Sequence, residues 1–181
     1  MHDSLDIALV RVDNRLVHGQ ILEAWIPYIK ADRIVVVDDL TASDMFRETV
    51  IRMAVPREVA VIICSVEEFV KTTPFQTGSG HKTIVLFGAV APVRKAFELG
   101  FRFNKLNIGN IYNDSCTICC TPSVLLSEND IHDITFLRDA GVRIELRRVP
   151  REKPLDFFDV VPVSKPEKNR DVAQAQTIRF F

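Results

Sequence analysis

The stretch Arg11-Val12-Asp13-Asn14-Arg15-Leu16-Val17-His18-Gly19-Gln20 joins two segments of different periodicity. Before it, Leu5-Asp6-Ile7-Ala8-Leu9-Val10 is a largely apolar run that reads as a strand. After it, Leu22, Trp25, Ile26 and Ile29 recur at helical spacing and bury one face. The chain therefore turns from strand to helix within this stretch, with Asp13 or Asn14 as the natural N-cap. Arg15 and His18 then fall in the first helical turn, where each cation opposes the macrodipole by roughly 0.3–1 kcal/mol. An anion such as phosphate would complete such a site. Residue types alone leave a second reading open: His18 extends the apolar stripe, and the arginines pair with Asp13 and Glu23.

Outward from this junction, strands and helices alternate. Arg33-Ile34-Val35-Val36-Val37 has the β-branched character of a parallel strand covered on both faces, and it ends at Asp38-Asp39. A helix over 42–54 follows, capped by Thr41 or Ser43; then come a strand over 58–64 and a helix over 66–71 capped by Ser65. Residues 76–80 form a turn. A strand over 82–87 ends at Gly88, and Pro92 opens a helix that stops near Gly100. Residues 105–109 form a further strand and 123–126 a short extended piece. Ser127 and Asp130 predict a capping box for a helix reaching Ala140. Residues 142–147 alternate in polarity and read as an edge or half-exposed strand, which leaves room for a homodimer unless the tail covers it. Past Pro150 the prolines and scattered charges suggest an extension packed on the surface or disordered. The pattern predicts one α/β domain: a doubly wound, mostly parallel sheet with helices on both faces and an edge strand near the C-terminus. Ligands of such sheets bind at the carboxyl ends of the strands, where the His18 loop, Asp38, Asp39 and Gly88 all fall.

With 181 residues, 47% hydrophobic and 26% charged, the chain can bury a sizeable core. A formal net charge of −1 gives no bulk basic field for nucleic acid or anionic membrane. No apolar run is long enough to span a bilayer, and the first residues lack the features of a secretory signal, so a cytoplasmic location is expected. Cys116, Cys119 and Cys120 form a C-x-x-C-C cluster, with Cys64 elsewhere. A structural zinc site would need further ligands from Cys64, His81 or His132, none at diagnostic spacing, and a redox pair is expected at a helix start rather than among β-branched residues. A reduced cluster with no metal is the default, and zinc or redox chemistry the alternative. His132 falls on the polar side of a helix, His81 in a solvated loop, and His2 at a frayed end.

The ten-residue block closely resembles the R-[IV]-D-[DN]-R-L-[IV]-H-G-Q segment of the IIB components of the mannose/fructose/sorbose phosphotransferase system. Ile34-Val35-Val36-Val37-Asp38-Asp39, Asp44 with Arg47, Leu86-Phe87, Gly100, Asn107-Ile108-Gly109-Asn110 and Glu145-Leu146-Arg147-Arg148-Val149-Pro150 are also similar to that family. The chain departs from it at Asn14, where Asp is commoner, over 113–121, and in a longer tail.

The resemblance implies a IIB domain over 1–150 with an extension over 151–181. It implies a protein-Npi-phosphohistidine–sugar phosphotransferase, in which a IIA protein phosphorylates His18 and the group passes to a sugar held by membrane IIC/IID components. The protein would be cytoplasmic and peripherally associated with that transporter. His18 is the matching nucleophile, with family preference for Nδ1, and Arg15 is the matching phosphoryl clamp, with Arg11 a second candidate. Asp13 either orients an arginine or the His18 ring, or caps the helix. Asn14, Gly19 and Gln20 complete the phosphate loop. Asp38, Asp39 and Gly88 are candidate second loops, with helix capping the favoured role for the aspartates. No metal, cofactor or nucleic acid is implied. The alternative is a regulatory module phosphorylated on His18 that reports carbon or energy state without sugar transport.

Overall fold

The computed structural model describes residues 6–72, 81–112 and 118–161. His2, Cys116, the turn expected over 76–80 and the tail from 162 lie outside them.

Strand β1 (Asp6–Asp13) runs through the middle of the molecule. Seven strands form one sheet in the order β3-β2-β4-β1-β5-β8-β9. These are β2 (Arg33–Val37), β3 (Ala60–Cys64), β4 (Lys82–Phe87), β5 (Lys105–Asn110), β8 (Arg143–Leu146) and β9 (Leu155–Asp156) around β1, all parallel except β9. A separate hairpin pairs β6 (Ile118–Thr121) with β7 (Val124–Leu126).

Successive residues of a strand point to opposite faces, and both faces of this sheet are covered. On one face Val10 and Val12 of β1 join Leu106, Ile108, Ile144 and Leu146. They pack beneath α4 (Val66–Thr72), α5 (Val90–Glu98), α6 (Glu128–Asp139) and α7 (Phe157–Val160). On the other, Leu9, Ile34, Val36, Ile84 and Leu86 lie beneath α3 (Met45–Ala54) and a helix after the His18 loop. That helix begins as a π-helical turn, Gln20–Trp25, and continues as α1 (Ile26–Ile29).

The doubly wound, mostly parallel α/β sheet expected from the alternation is the observed fold. Ser127 caps α6 in the predicted capping box with Asp130, and Ser65 and Glu68 make a similar reciprocal cap on α4.

Four local expectations are corrected. Neither Asp13 nor Asn14 caps the first helix: Asp13 ends β1, and no side chain caps the π-helical turn. The helix expected over 42–54 is two helices, α2 (Asp39–Ala42) and α3, because Asp38 and Asp44 each accept backbone N–H groups and start a new turn. The strand over 142–147 is neither an edge nor half-exposed: Ile144, Glu145 and Leu146 are all buried. Its alternation reflects a charged side chain turned inward, and β9 pairs along its free side. Among the described residues the sheet's edges are β3 and β9, so 142–147 is not the free edge on which the homodimer expectation rested. Finally, the segment after Pro150 does not simply lie on the surface, since Phe157 enters the core at 0% exposure.

Candidate functional site

The site grows from the end of β1. Asp13 leaves the strand into a tight turn in which Leu16 N–H donates to the Asp13 carbonyl at 2.9 Å. The Asp13 carboxylate closes the same turn by accepting the Arg15 N–H at 3.2 Å. Leu16 adopts φ +53°, the left-handed region that a branched aliphatic residue rarely occupies. Asn14 anchors the loop to the neighbouring strand: its N–H donates to the Asn110 carbonyl at 3.0 Å and its side chain to the Tyr112 carbonyl at 2.7 Å.

His18 stands just before the helix, one step earlier than expected, and its carbonyl accepts the N–H groups of Ile21 and Leu22. The cations therefore precede the helix, but they remain beside its open amide end. Among the described residues, the N–H groups of Val17 and His18 have no protein acceptor. A Cβ on Gly19 would meet nothing within 4 Å, so Gly19 relieves no crowding there and leaves an approach open.

The His18 side chain is 15% exposed and Asp13 is 0% exposed. His18 Nε2 lies 3.1 Å from Asp13 Oδ2, whereas buried Nδ1 has no hydrogen-bond partner. A carboxylate can only accept, so Nε2 carries the proton and Nδ1 holds the lone pair. Burial lowers the His18 pKa from 6.5; Arg15 and Arg11 act in the same direction and Asp13 opposes them. Burial is the largest of these causes.

The two arginines have different surroundings. Arg15, 46% exposed, donates to Gln20 Oε1 at 2.9 Å and places Nε 3.5 Å from Asp13 Oδ1. Arg11 is fully buried. Its NH2 donates to Asp13 Oδ2 at 2.8 Å and to the Arg148 carbonyl at 3.1 Å. Its NH1 donates to Asn107 Oδ1 and to the Arg147 carbonyl. The guanidinium lies 5.3 Å from the centroid of the Trp25 ring, and Trp25 Nε1 donates to the Arg148 carbonyl. With its donors turned inward, Arg11 has the surroundings of a support rather than a clamp.

Of the second loops, Gly88 lies between Asp38 and Leu16 of the His18 loop, whereas Asp39 turns to the start of α4. A Cβ on Gly88 would lie 3.0 Å from Asp38 Oδ1 and 3.7 Å from Leu16 Cδ2. Asp38 caps α2 through the Thr41 N–H and hydroxyl, and Asp39 accepts the Val66 N–H at 2.8 Å. Both aspartates thus serve as helix and loop ties. Sequence reasoning assigned no role to Asn107, Gly109 and Glu145, which lie across the strands from Arg11. The available signal was a polar residue, Arg11, Asn107 or Glu145, between two buried apolar neighbours in each of three strands.

No group of three or more His, Cys, Asp or Glu able to hold a metal occurs among the described residues, and Cys116 lies outside them. Burial pushes the Cys64 and Cys120 thiols up to about 11, away from the thiolate form that metal binding or redox chemistry uses.

Residues 7–174 match the family described as the PTS system sorbose subfamily IIB component. The chain belongs to this family. It is 33% identical over 157 residues to the fructose-specific EIIB component of Bacillus subtilis, covering 87% of this chain and 96% of that protein. It is 26% identical over 160 residues to the mannose-specific EIIAB component of Escherichia coli, covering 88% of this chain and 50% of that protein. The crystal structure of the IIB domain of the Klebsiella pneumoniae sorbose permease superposes with a TM-score of 0.80 at 28% identity, over 87% of this chain and 97% of that one. This protein is thus a IIB component of the sugar phosphotransferase system. No helix of the described residues is long and apolar enough to cross a membrane.

Proposed function

We propose that His18 is the phosphoryl carrier of this IIB component, loaded by the phosphohistidine of a IIA protein and discharged onto a sugar during uptake through IIC/IID. The observation that carries this reading is the asymmetry of the His18 ring: Nε2 faces Asp13 at 3.1 Å, and Nδ1 has no hydrogen bond and is buried, so a turn of the ring must bring it to the donor. The Nδ1 lone pair attacks the phosphorus of the donor phosphohistidine. A new N–P bond forms at His18, the donor's N–P bond breaks, and the donor ring nitrogen keeps the electron pair. In the second step a sugar hydroxyl attacks, Nδ1 recovers the pair, and the hydroxyl proton leaves to base or solvent.

Such transfer rests on positioning and charge stabilisation. Arg15 supplies a planar fork for the phosphoryl oxygens, while Gln20 steadies it. The loop amides and open helix end add donors of the kind that hold phosphate elsewhere. Asp13 offsets the charge that the ring acquires as it is phosphorylated. The chain would meet the membrane only through its transporter partners. The fusion named for the Escherichia coli EIIAB relative supports a IIA protein as donor.

The test is phosphate transfer from a phosphorylated mannose-type IIA protein, fed by phosphoenolpyruvate and the general enzymes, to wild type, His18→Ala and Arg15→Ala. Acid-labile, base-stable label absent from His18→Ala and slowed in Arg15→Ala is the expected result. An unlabelled wild type beside a labelled control IIB would overturn the reading.

A further inference from the structure

Arg11, Asn107 and Glu145 form one row across three adjacent strands. Arg11 of β1 is in register with Asn107 of β5, and Asn107 with Glu145 of β8. All three point to the sheet face opposite the large apolar core, and none is more than 6% exposed. Asn107 suits the middle position because its amide accepts on one side and donates on the other. Its Oδ1 accepts from Arg11 NH1, and its Nδ2 donates to Glu145 Oε1 and to the Arg147 carbonyl, each at 3.2 Å. Glu145 Oε2 meets Lys105 Nζ at 2.6 Å, where the row reaches solvent. At the other end, Arg11 holds Asp13, and Asp13 faces His18.

We propose that Asn107 and Glu145 are positioning residues for phosphoryl transfer: they hold Arg11, which holds Asp13, which fixes the proton on His18 Nε2 and leaves Nδ1 as the nucleophile. This inference rests on the carrier reading of His18. An arginine side chain has four rotatable bonds and holds a neighbour in place only if it is itself locked. Here four acceptors hold the two terminal nitrogens, while Nε is buried without a hydrogen-bond partner. A Cβ on Gly109 would lie 1.7 Å from Arg11 NH2, so the guanidinium lies directly against the bare backbone of β5. Trp25 and the carbonyls of Arg147 and Arg148 bound it elsewhere. Asn107 is the side-chain acceptor for NH1, and without it NH1 keeps only the Arg147 carbonyl. Glu145 orients the Asn107 amide and places a second negative charge on the far side of Arg11 from Asp13. The charged groups in and around the row are therefore His18 and Arg15 in the loop, Arg11 and Asp13 on β1, Lys105 on β5, Glu145 on β8, and Arg147, whose guanidinium lies 5.6 Å from the Trp25 ring centroid.

The experiment reads the tautomer of His18 by ¹⁵N–¹H correlation of its ring nitrogens in the unphosphorylated, full-length protein, alongside phosphoryl uptake from the phosphorylated IIA protein. Wild type is expected to show the Nε2–H form alone. Asn107→Leu is expected to mix in the Nδ1–H form and to lower kcat roughly tenfold while leaving KM for the IIA protein unchanged. Glu145→Leu should move both readouts the same way by less. Glu145→Gln, which keeps an acceptor for Asn107, should restore them. A folded Asn107→Leu, checked by near-ultraviolet circular dichroism, with wild-type tautomer and rate overturns the proposal. If Asn107→Leu does not fold, Glu145→Leu and Glu145→Gln decide it in its place, and identical wild-type behaviour of both overturns it. The tautomer is read without any phosphate donor. A wild type that takes up no phosphate therefore counts against the carrier reading, while an unchanged tautomer in the variants counts against the row.

Discussion

On one side of the sheet, Phe69 packs edge to face on Phe87 and Phe101, with ring centroids 6.1 and 4.9 Å apart. On the other, the row from β1 to β8 is Arg11, Asn107 and Glu145, joined by hydrogen bonds. Both regions are buried, but they are held by different forces. The aromatic side is stabilised by removing apolar area from water, which is non-directional and tolerates exchange of shape for shape. The polar row is directional: each group is stable there only while its neighbour keeps its place. Both regions contribute to stability, but the geometry of His18 is set by the second.

The sharpest challenge to this contrast is Asp13→Asn. It removes the carboxylate that orients His18 and leaves the buried Arg11 charge without its anionic partner. Phosphoryl uptake should fall by about a hundredfold or more, as when the wrong tautomer is admitted at other histidine sites. Unfolding free energy should fall by about 3–5 kcal/mol, measured in urea. Phe101→Ala tests the other side: a loss of about 3–5 kcal/mol is expected from the cavity, with the His18 tautomer of the folded protein unchanged. A changed tautomer there would show that the two sides are not separable.

Gly109→Ala probes the seam between them. The added methyl collides with the Arg11 guanidinium, so a stability loss of about 1–3 kcal/mol should come with slower phosphoryl uptake.

The pH response is smaller. Burial, then Arg15 and Arg11, lower the His18 pKa against the pull of Asp13, so an NMR titration should place its midpoint below 6.5. The unfolded chain binds the proton at the ordinary value. His18 therefore contributes stability that is complete above pH 6.5 and is lost as pH falls below it. Uptake should not decline as pH first passes below 6.5. Smallest of all, Phe46→Ser on α3, 77% exposed and part of neither side, should change stability by about 0.5 kcal/mol or less in the same urea assay.

Much of this was readable along the chain. The apolar run before Arg11 and the helical spacing after His18 placed the site at a strand end, and the block around His18 pointed to phosphoryl chemistry. Ser127 and Asp130 announced their capping box because a cap is a contact over three residues. Errors came where a local signal had a non-local cause. Polarity alternated over 142–147 because Glu145 turns inward toward Asn107 and Lys105, not because that face meets water. Arg11 read as a second clamp because its neighbours in the sequence are the site, while its partners in space are 96 and 136 positions away.

The sequence by itself determined the order of strands and helices, the loop that carries His18, and the presence of Asp13 within its reach. These follow from periodicity, capping and the reach of a short turn, all of which act between near neighbours. Only the tertiary structure decided that β5 lies beside β1 and β8 beside β5, and so that Arg11, Asn107 and Glu145 meet. Strand order is settled by how the helices cover both faces of the whole sheet, a collective packing that no single segment encodes. The role of Asn107 appears only once that packing is complete.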